Sequence, residues 1–447
     1  MLVNSNIIKM KHTFFVVIIA LLTACTATQE SSFSTEPQSV VQPDYDTFFT
    51  PHRLRIDLVF AGNSQYQKVF LASLAKEENW SGSKTNMVDT FEYGEYYMKV
   101  KSKEGQTIYS RGFNTLFQEW RCTPEANINE QSYCSSYVIP YPKDTIELCI
   151  YERVKQTGKY NELYSAIINP NDKLISREKC NNFNVEALMQ NGDCKDKVDL
   201  LFIAEGYTKD QMGKFRADAQ RMTDYLFSMH PYSKHKEDFN IWIVESLSAE
   251  EGTDIPHMDV WKNTVADSHF YTFYSDRYLT APNHTTICKI ASNAPYDALY
   301  VLVNDATYGG GGIYNFYGLS SSDNKWAEPV FIHEFGHSFA GLGDEYFDSS
   351  TSYDETFYNL NIEPWEPNIT TLVNFESKWK DMLNPDVQIP TPDSDEPQVL
   401  GVYEGGGYMA KGVYRPVMDC RMKTNTAPGF CPVCSRAIER MIEFYTK

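Results

Sequence analysis

The sequence predicts an α+β protein in two parts, an antiparallel β-sandwich-like domain followed by an α/β domain. Three observations predict it. From Leu54 to about Pro170 the chain reads as short runs rich in Val, Ile, Tyr and Phe, broken by turn residues. Beyond Lys197 the pattern becomes strand, helix, strand. Inside that second part lies His333-Glu334-Phe335-Gly336-His337, set among apolar residues with helical spacing.

The N-terminus reads as a leader over residues 1–24. Lys9 and Lys11 precede an apolar run, Phe14 to Leu22, that is too short to span a bilayer as a mature helix. Leu22-Thr23-Ala24-Cys25 resembles the bacterial lipoprotein box, which implies a lipidated Cys25 as the new N-terminus. Residues 25–48 then form a tether, with Ser31 to Asp46 rich in Ser, Thr, Gln and Pro. An exported protein is expected, anchored through this lipid alone at the outer membrane or cell surface.

A β-rich accessory domain is expected over residues 49–190. Leu54 to Phe60, Tyr96 to Lys101, Tyr137 to Ile139 and Thr145 to Val154 are its clearest strands, and it shows no constellation able to do chemistry. Asn182 to Lys197 reads as the junction to a catalytic domain over 191–447. There Val198 to Ile203, Phe239 to Val244 and Ala298 to Val303 read as buried strands. Thr208 caps a helix running to Met229, with Met212, Phe215, Ala219, Met222 and Leu226 on one face.

Trp326, Val330, Phe331, Phe335 and Phe339 mark a second, half-buried helix. Pro329 fits its first turn and Gly341 its left-handed stop. On such a helix His333 and His337 lie one turn apart on one face and can reach one zinc ion at about 2.0–2.1 Å. Glu334 can then take a proton from the attacking water. After the stop come Asp344 and Glu345, either of which is placed to be a third ligand, leaving a fourth position open. Two unrelated histidines on a surface helix are the plain alternative, and the apolar stripe and helix-end signals argue against it.

The stretch from His333 to Tyr346 resembles the signature of the bacterial immunoglobulin-A-cleaving metallopeptidases, a metzincin-like group. Ordinary metzincins have one residue fewer before the glycine that stands here at 341. The resemblance extends to Val198 to Thr208, to Tyr308 to Tyr314, and to Gly412 to Pro416 leading into Cys420-Arg421-Met422. It implies a metzincin-like α/β domain with His333, His337 and Asp344 as zinc ligands, Asp344 being favoured over Glu345, and with Glu334 as the base. It also implies a methionine turn beneath the metal, for which Met422 is the candidate and Met418 the alternative. A zinc endopeptidase follows, acting on a protein such as host immunoglobulin A, or on mucin-type and other glycoproteins. A non-catalytic surface binding lipoprotein is the rival from another class, and the intact Glu334 speaks against it.

Gly309 to Gly312 is no phosphate cradle, because no lysine and helix follow it. It reads as a turn from which Ile313 to Tyr317 continues as a strand. Gly311, Gly312, Ile313 and Tyr314 are candidates for an edge strand that holds an extended peptide. Asp254 reads as a turn cap.

With 59 Asp and Glu against 40 Lys and Arg, the net charge of −19 argues against nucleic acid and against electrostatic binding to anionic lipid. A monomer is expected. Of ten cysteines, nine remain if Cys25 carries lipid. Cys122 and Cys134 could staple a loop. Cys420, Cys431 and Cys434 suggest a structural disulfide rather than a redox pair or zinc ribbon, since a ribbon needs a second Cys-x-x-Cys and none is present.

Overall fold

Alternate residues of strand β1 (Phe49–Gly62), among them Leu54, Ile56, Leu58 and Phe60, are almost fully buried, which is the period-two pattern of a strand against a core. β1 follows a single turn, α1 (Tyr45–Phe48), in a computed structural model that describes residues 41–179, 183–347 and 357–447. The leader, Cys25 and most of the tether lie outside the described residues.

β1 pairs antiparallel with β2 (Gln67–Asn79) and, on its other side, with a later strand, as below. β3 (Tyr96–Lys101) and β4 (Thr107–Phe113) lead to the short helix α2 (Leu116–Trp120), and then come β5 (Gln131–Pro142), β6 (Ile146–Arg153) and β7 (Tyr160–Ile168). The result is two antiparallel sheets, ordered β2-β1-β5 and β4-β3-β6-β7. Phe60 of the first packs 5.0 Å from Tyr96 of the second, ring centre to ring centre. The other face of β1 is also buried. Arg53 and Arg55 pair there with Glu77 and Asp57 at 2.5–2.9 Å.

The segment Asn184–Met189, expected as junction, is instead strand β8 and opens the next sheet. It pairs antiparallel with β10 (Phe239–Glu245), whose edge residues supply the hydrogen bonds that an isolated linker would lack. β9 (Val198–Glu205) is buried at every position, as a strand covered on both faces must be. With β11 (Ala298–Val303), β12 (Gly310–Ile313) and β13 (Tyr317–Ser321) the order is β12-β13-β11-β9-β10-β8, parallel through its middle. The glycines are therefore themselves the strand. Tyr314 to Phe316 form a hairpin turn, not the continuous strand expected from Ile313 to Tyr317, because Asn315 takes a left-handed φ of 48°.

Alternation on β9 divides the core. Leu200, Phe202 and Ala204 face α3 (Met212–Ser228), α5 (Ala327–Ala340) and α6 (Pro432–Thr446). Leu201 and Ile203 face the other way, into the core that the two N-terminal sheets and α4 (His284–Ala291) share. The β-rich part and the later part thus have one apolar core in common, and Val41–Lys447 form one compact unit. Thr208 and Gln211 make a capping box ahead of α3. A hairpin of β14 (Tyr403–Gly406) and β15 (Met409–Arg415) completes the chain's strands among the described residues. No helix among them is long and apolar enough to cross a membrane.

His284 opens α4 at the seam of this shared core. Its Nδ1 accepts the Ser136 N–H at 3.1 Å, and its Nε2–H points to the Phe316 carbonyl at 3.3 Å, so the neutral ring uses both nitrogens. Burial pushes its pKa down to about 3, against an ordinary 6.5. Between those values the unfolded chain binds a proton that the folded chain refuses, so stability is full above pH 6.5 and falls as pH drops toward 3. His284→Gln should flatten the stability–pH curve in that window by about 1.4 kcal/mol per pH unit. Denaturant unfolding at a series of pH values measures this; parallel curves for the two proteins would refute it.

Candidate active site

Helix α5 places the two imidazoles. Phe331, Phe335 and Phe339 anchor one side of it in the core, which leaves His333 and His337 turned to the opposite side, partly exposed. Their Nε2 atoms lie 3.0 Å apart. Each ring is held from behind: His333 Nδ1–H donates to the Arg421 carbonyl at 2.9 Å and His337 Nδ1–H to the Leu342 carbonyl at 2.5 Å.

Gly341 ends α5 with a left-handed φ of 66°, and the chain turns back on itself. The returning segment is pinned by Asn368, which bonds both the N–H and the carbonyl of Gly343. The next two side chains point to different sides. Asp344 Oδ1 lies 3.0 Å from His333 Nε2 and 3.3 Å from His337 Nε2. Glu345 faces away, into a group of buried cysteines. Spacing left the two carboxylates open; the direction of the chain separates them.

Because both Nδ1 atoms carry the hydrogen-bonding protons, the two Nε2 atoms present lone pairs. Asp344 Oδ1, buried and without any hydrogen bond, adds a third. Three converging lone pairs repel unless a cation or proton sits among them. Donor atoms bound at about 2.0–2.1 Å around a tetrahedral ion lie roughly 3.3 Å apart, so the set fits a zinc-sized ion. The local field has the same sense. Burial opposes a charged His337, but Asp344 beside it outweighs burial and lifts that ring to about 9. Burial would raise Asp344, yet the two imidazoles hold it well below the usual carboxylate range.

Glu334 offers a carboxylate oxygen within 4.8 Å of donor atoms on both histidines. Burial lifts its pKa, while His333 and His337 pull it back. β12 runs directly over it. A Cβ on Gly310 would fall 2.9 Å from the Glu334 carboxylate, and one on Gly312 would fall 2.3 Å from the Glu334 carbonyl oxygen. Glycine is required for this close passage.

The expected peptide-holding edge is narrower than Gly311 to Tyr314. The Gly310 carbonyl already accepts Leu279 N–H at 3.3 Å, and the Tyr314 carbonyl accepts Asn114 N–H at 2.9 Å. Gly311 and Ile313 are buried, and the Tyr314 ring packs against Tyr93 and Trp365. Gly312, between the two occupied ends, is the half-exposed residue facing the cleft.

Met422 lies beneath the helix: a Cβ on Gly336 would come 2.8 Å from its sulfur. Met418 instead lies near Arg415, 3.6 Å away. Asp254 accepts Lys262 N–H at 2.5 Å, the turn-capping role.

The cleft over these residues holds about 430 Å³. One wall comes from the N-terminal part, through Glu95, Asn114, Gln118 and Glu119. Tyr278 donates to Glu119 across the cleft's end. Reading the sequence missed this wall, because no local pattern links residues so far apart in the chain. It also missed Tyr408, whose hydroxyl donates to Asp344 Oδ2 from the turn between β14 and β15.

The expected disulfides are absent. All eight described cysteines are free thiols. Cys122 is buried, with Lys155 Nζ 3.1 Å from its sulfur, while Cys134 is exposed on β5. Cys420, Cys431 and Cys434 gather around Glu345 without a bridge.

A family model described as IgA peptidase M64 matches residues 186–398 and 393–442, and one described as peptidase M64 N-terminus matches 44–165. The chain belongs to the M64 peptidase family. No curated protein matches it. The M64 family is one of metallopeptidases, and His333, His337 and Asp344 form a candidate donor set for a metal in this M64 peptidase. Tyr408→Phe removes a hydrogen bond that orients Asp344. It should weaken metal binding about 10–100-fold with the fold retained. Competition with a chromogenic chelator reads the affinity; an unchanged constant would show that Tyr408 does not orient the carboxylate.

Proposed function

We propose that the chain is a zinc-dependent endopeptidase, with His333, His337 and Asp344 as the zinc ligands and Glu334 as the general base. One observation carries this reading: three lone pairs meet at 3.0–3.3 Å with both imidazoles held from behind. The chemistry a bound zinc supplies is Lewis acidity, which makes water a stronger acid and polarises a carbonyl. Glu334 takes the proton from the attacking water as its oxygen bonds to the scissile carbonyl carbon. It then delivers that proton to the amide nitrogen as the C–N bond breaks, so no covalent intermediate with the chain is needed. Met422 forms the floor under the helix. Gly312 and the N-terminal wall flank the path of an extended peptide.

On this reading the two N-terminal sheets are a sandwich-like accessory domain that ends before β8, and the rest is a metzincin-like catalytic domain. Lipidated Cys25 carries the whole at the outer membrane or cell surface, as a monomer. Immunoglobulin A is the substrate suggested by the family's description, and mucin-type or other glycoproteins are the alternative.

Glu334→Gln should keep fold and metal yet lower peptide cleavage by at least about 10²-fold, because the ligands remain and the base is lost. His337→Ala, or a chelator on the unmodified protein, should remove the metal at this site together with activity. Cleavage assays on immunoglobulin A and on a panel of glycoproteins check both points. Wild-type turnover in Glu334→Gln, or in metal-free protein, would end the reading, whereas a metal-loaded wild-type protein that cleaves none of these substrates would favour the non-catalytic binding lipoprotein.

A further inference from the structure

Beneath the candidate active site, and on the other side of the segment that carries Asp344, four side chains meet with no exposure to solvent. They are Glu345, Cys420, Cys431 and Cys434, whose donor atoms all lie within 4.8 Å of one another. Cys420 Sγ and Cys434 Sγ are 3.8 Å apart, and Cys434 Sγ is 3.1 Å from Glu345 Oε1. Sulfur ligands at about 2.3 Å around a tetrahedral ion stand roughly 3.8 Å apart, so the thiols already have the spread of a coordination shell.

We propose that Glu345, Cys420, Cys431 and Cys434 form a second zinc site, structural and closed, that braces the floor of the active site.

Three features support metal over the alternatives. First, a disulfide between any two of the thiols would leave the third thiol and a carboxylate in a dry pocket. Glu345 Oε2 is already buried there without a hydrogen-bond partner, a costly state for a polar atom that a cation relieves. Second, the donors are supported as metal ligands usually are. Asn368 Nδ2 donates to Glu345 Oε1 at 3.0 Å. The Cys431 N–H points to Cys420 Sγ at 3.3 Å, and the Cys434 N–H to Cys431 Sγ at 3.4 Å. Third, Cys431 caps α6 and Cys434 lies in its first turn, where the helix dipole favours thiolate. Three thiolates and one carboxylate match the charge of a four-cysteine structural site, and Arg415 and Lys423 lie within electrostatic reach of Glu345. On binding, each thiol gives its proton to solvent and no redox step is involved.

The site would join three elements that hold the catalytic residues. Glu345 adjoins Asp344. Cys420 adjoins Arg421, whose carbonyl holds His333, and is two residues from Met422. Cys431 and Cys434 fix the start of α6, which packs against α5. A shift of any one element would move a ligand or the floor.

The experiment measures zinc by elemental analysis on the full chain and on His337→Ala, Cys431→Ser and Cys434→Ser. Intact mass after alkylation without reductant is recorded in parallel. Wild type should hold about two zinc ions per chain and His337→Ala about one, that one being released by an organic mercurial. Each serine variant should lose about one zinc and unfold at a lower temperature. If a serine variant does not fold, His337→Ala decides alone. Cobalt loaded into it should give the intense sulfur-to-cobalt absorption of a thiolate site. Metal-free His337→Ala, or a disulfide among the three cysteines in the mass data, overturns the proposal. The two readings fail separately: a single zinc lost with His337 leaves only the catalytic assignment. A single zinc that survives His337→Ala leaves only this one.

Discussion

The arrangement of this protein depends on one electrostatic demand: three lone pairs, from His333, His337 and Asp344, are held face to face at the floor of the cleft. Side chains left to themselves would rotate apart. Here they do not, because each is fixed from behind by a hydrogen bond, to Arg421, to Leu342 and from Tyr408. Those partners lie on separate parts of the chain, so the pocket exists only while the helix, its exit turn and two later loops keep their places. The pivot is Gly341. Its positive φ lets the chain reverse within one residue and deliver a carboxylate to the imidazoles that precede it.

The rest of the fold supplies that rigidity. α5 is wedged between the six-stranded sheet and α6 by stacked rings, with Phe335 and Phe339 centroids 5.0 Å apart and Tyr445 of α6 beside Phe339. The far end of α6 reaches the N-terminal sheets, where Arg111 donates to Tyr445 at 2.6 Å. The β-rich part therefore does more than accompany the site. It shares a core with the six-stranded sheet, supports the helix layer and contributes one wall of the cleft. The glycines of β12 complete the opposite wall by allowing a strand to lie against the backbone of Glu334.

Two neighbouring carboxylates show how little chain is needed to serve two environments. Asp344 and Glu345 share a peptide bond, yet one faces imidazoles and the other thiols. Two successive residues of one loop, pointing to different sides, achieve this. It also couples the two clusters mechanically, since a displacement of one side chain's backbone is a displacement of the other's.

Much of this was legible in the sequence wherever the signal is local. Short apolar runs marked the centres of β1, β3, β9 and β11, and apolar residues at helical spacing marked α3 and α5. The His-Glu-x-x-His spacing named the residues that the helix then presents together. Short or half-exposed strands such as β2, β7 and β8 carry too weak an alternation to be read, and their pairing partners are distant. In the sequence the glycine run reads equally as a turn or as part of an edge strand, because glycine signals only backbone freedom. Only packing reveals that the freedom serves a close approach to a helix. The sequence by itself determined the chemistry available: two imidazoles one turn apart, an adjacent carboxylate, and carboxylates beyond a left-handed stop. Tertiary structure alone decided which carboxylate faces the histidines, which methionine lies beneath them, and that cysteines from the C-terminal region meet Glu345. The reason is physical: a side chain's direction in a loop is set by contacts from elsewhere in the chain, and no local periodicity encodes them.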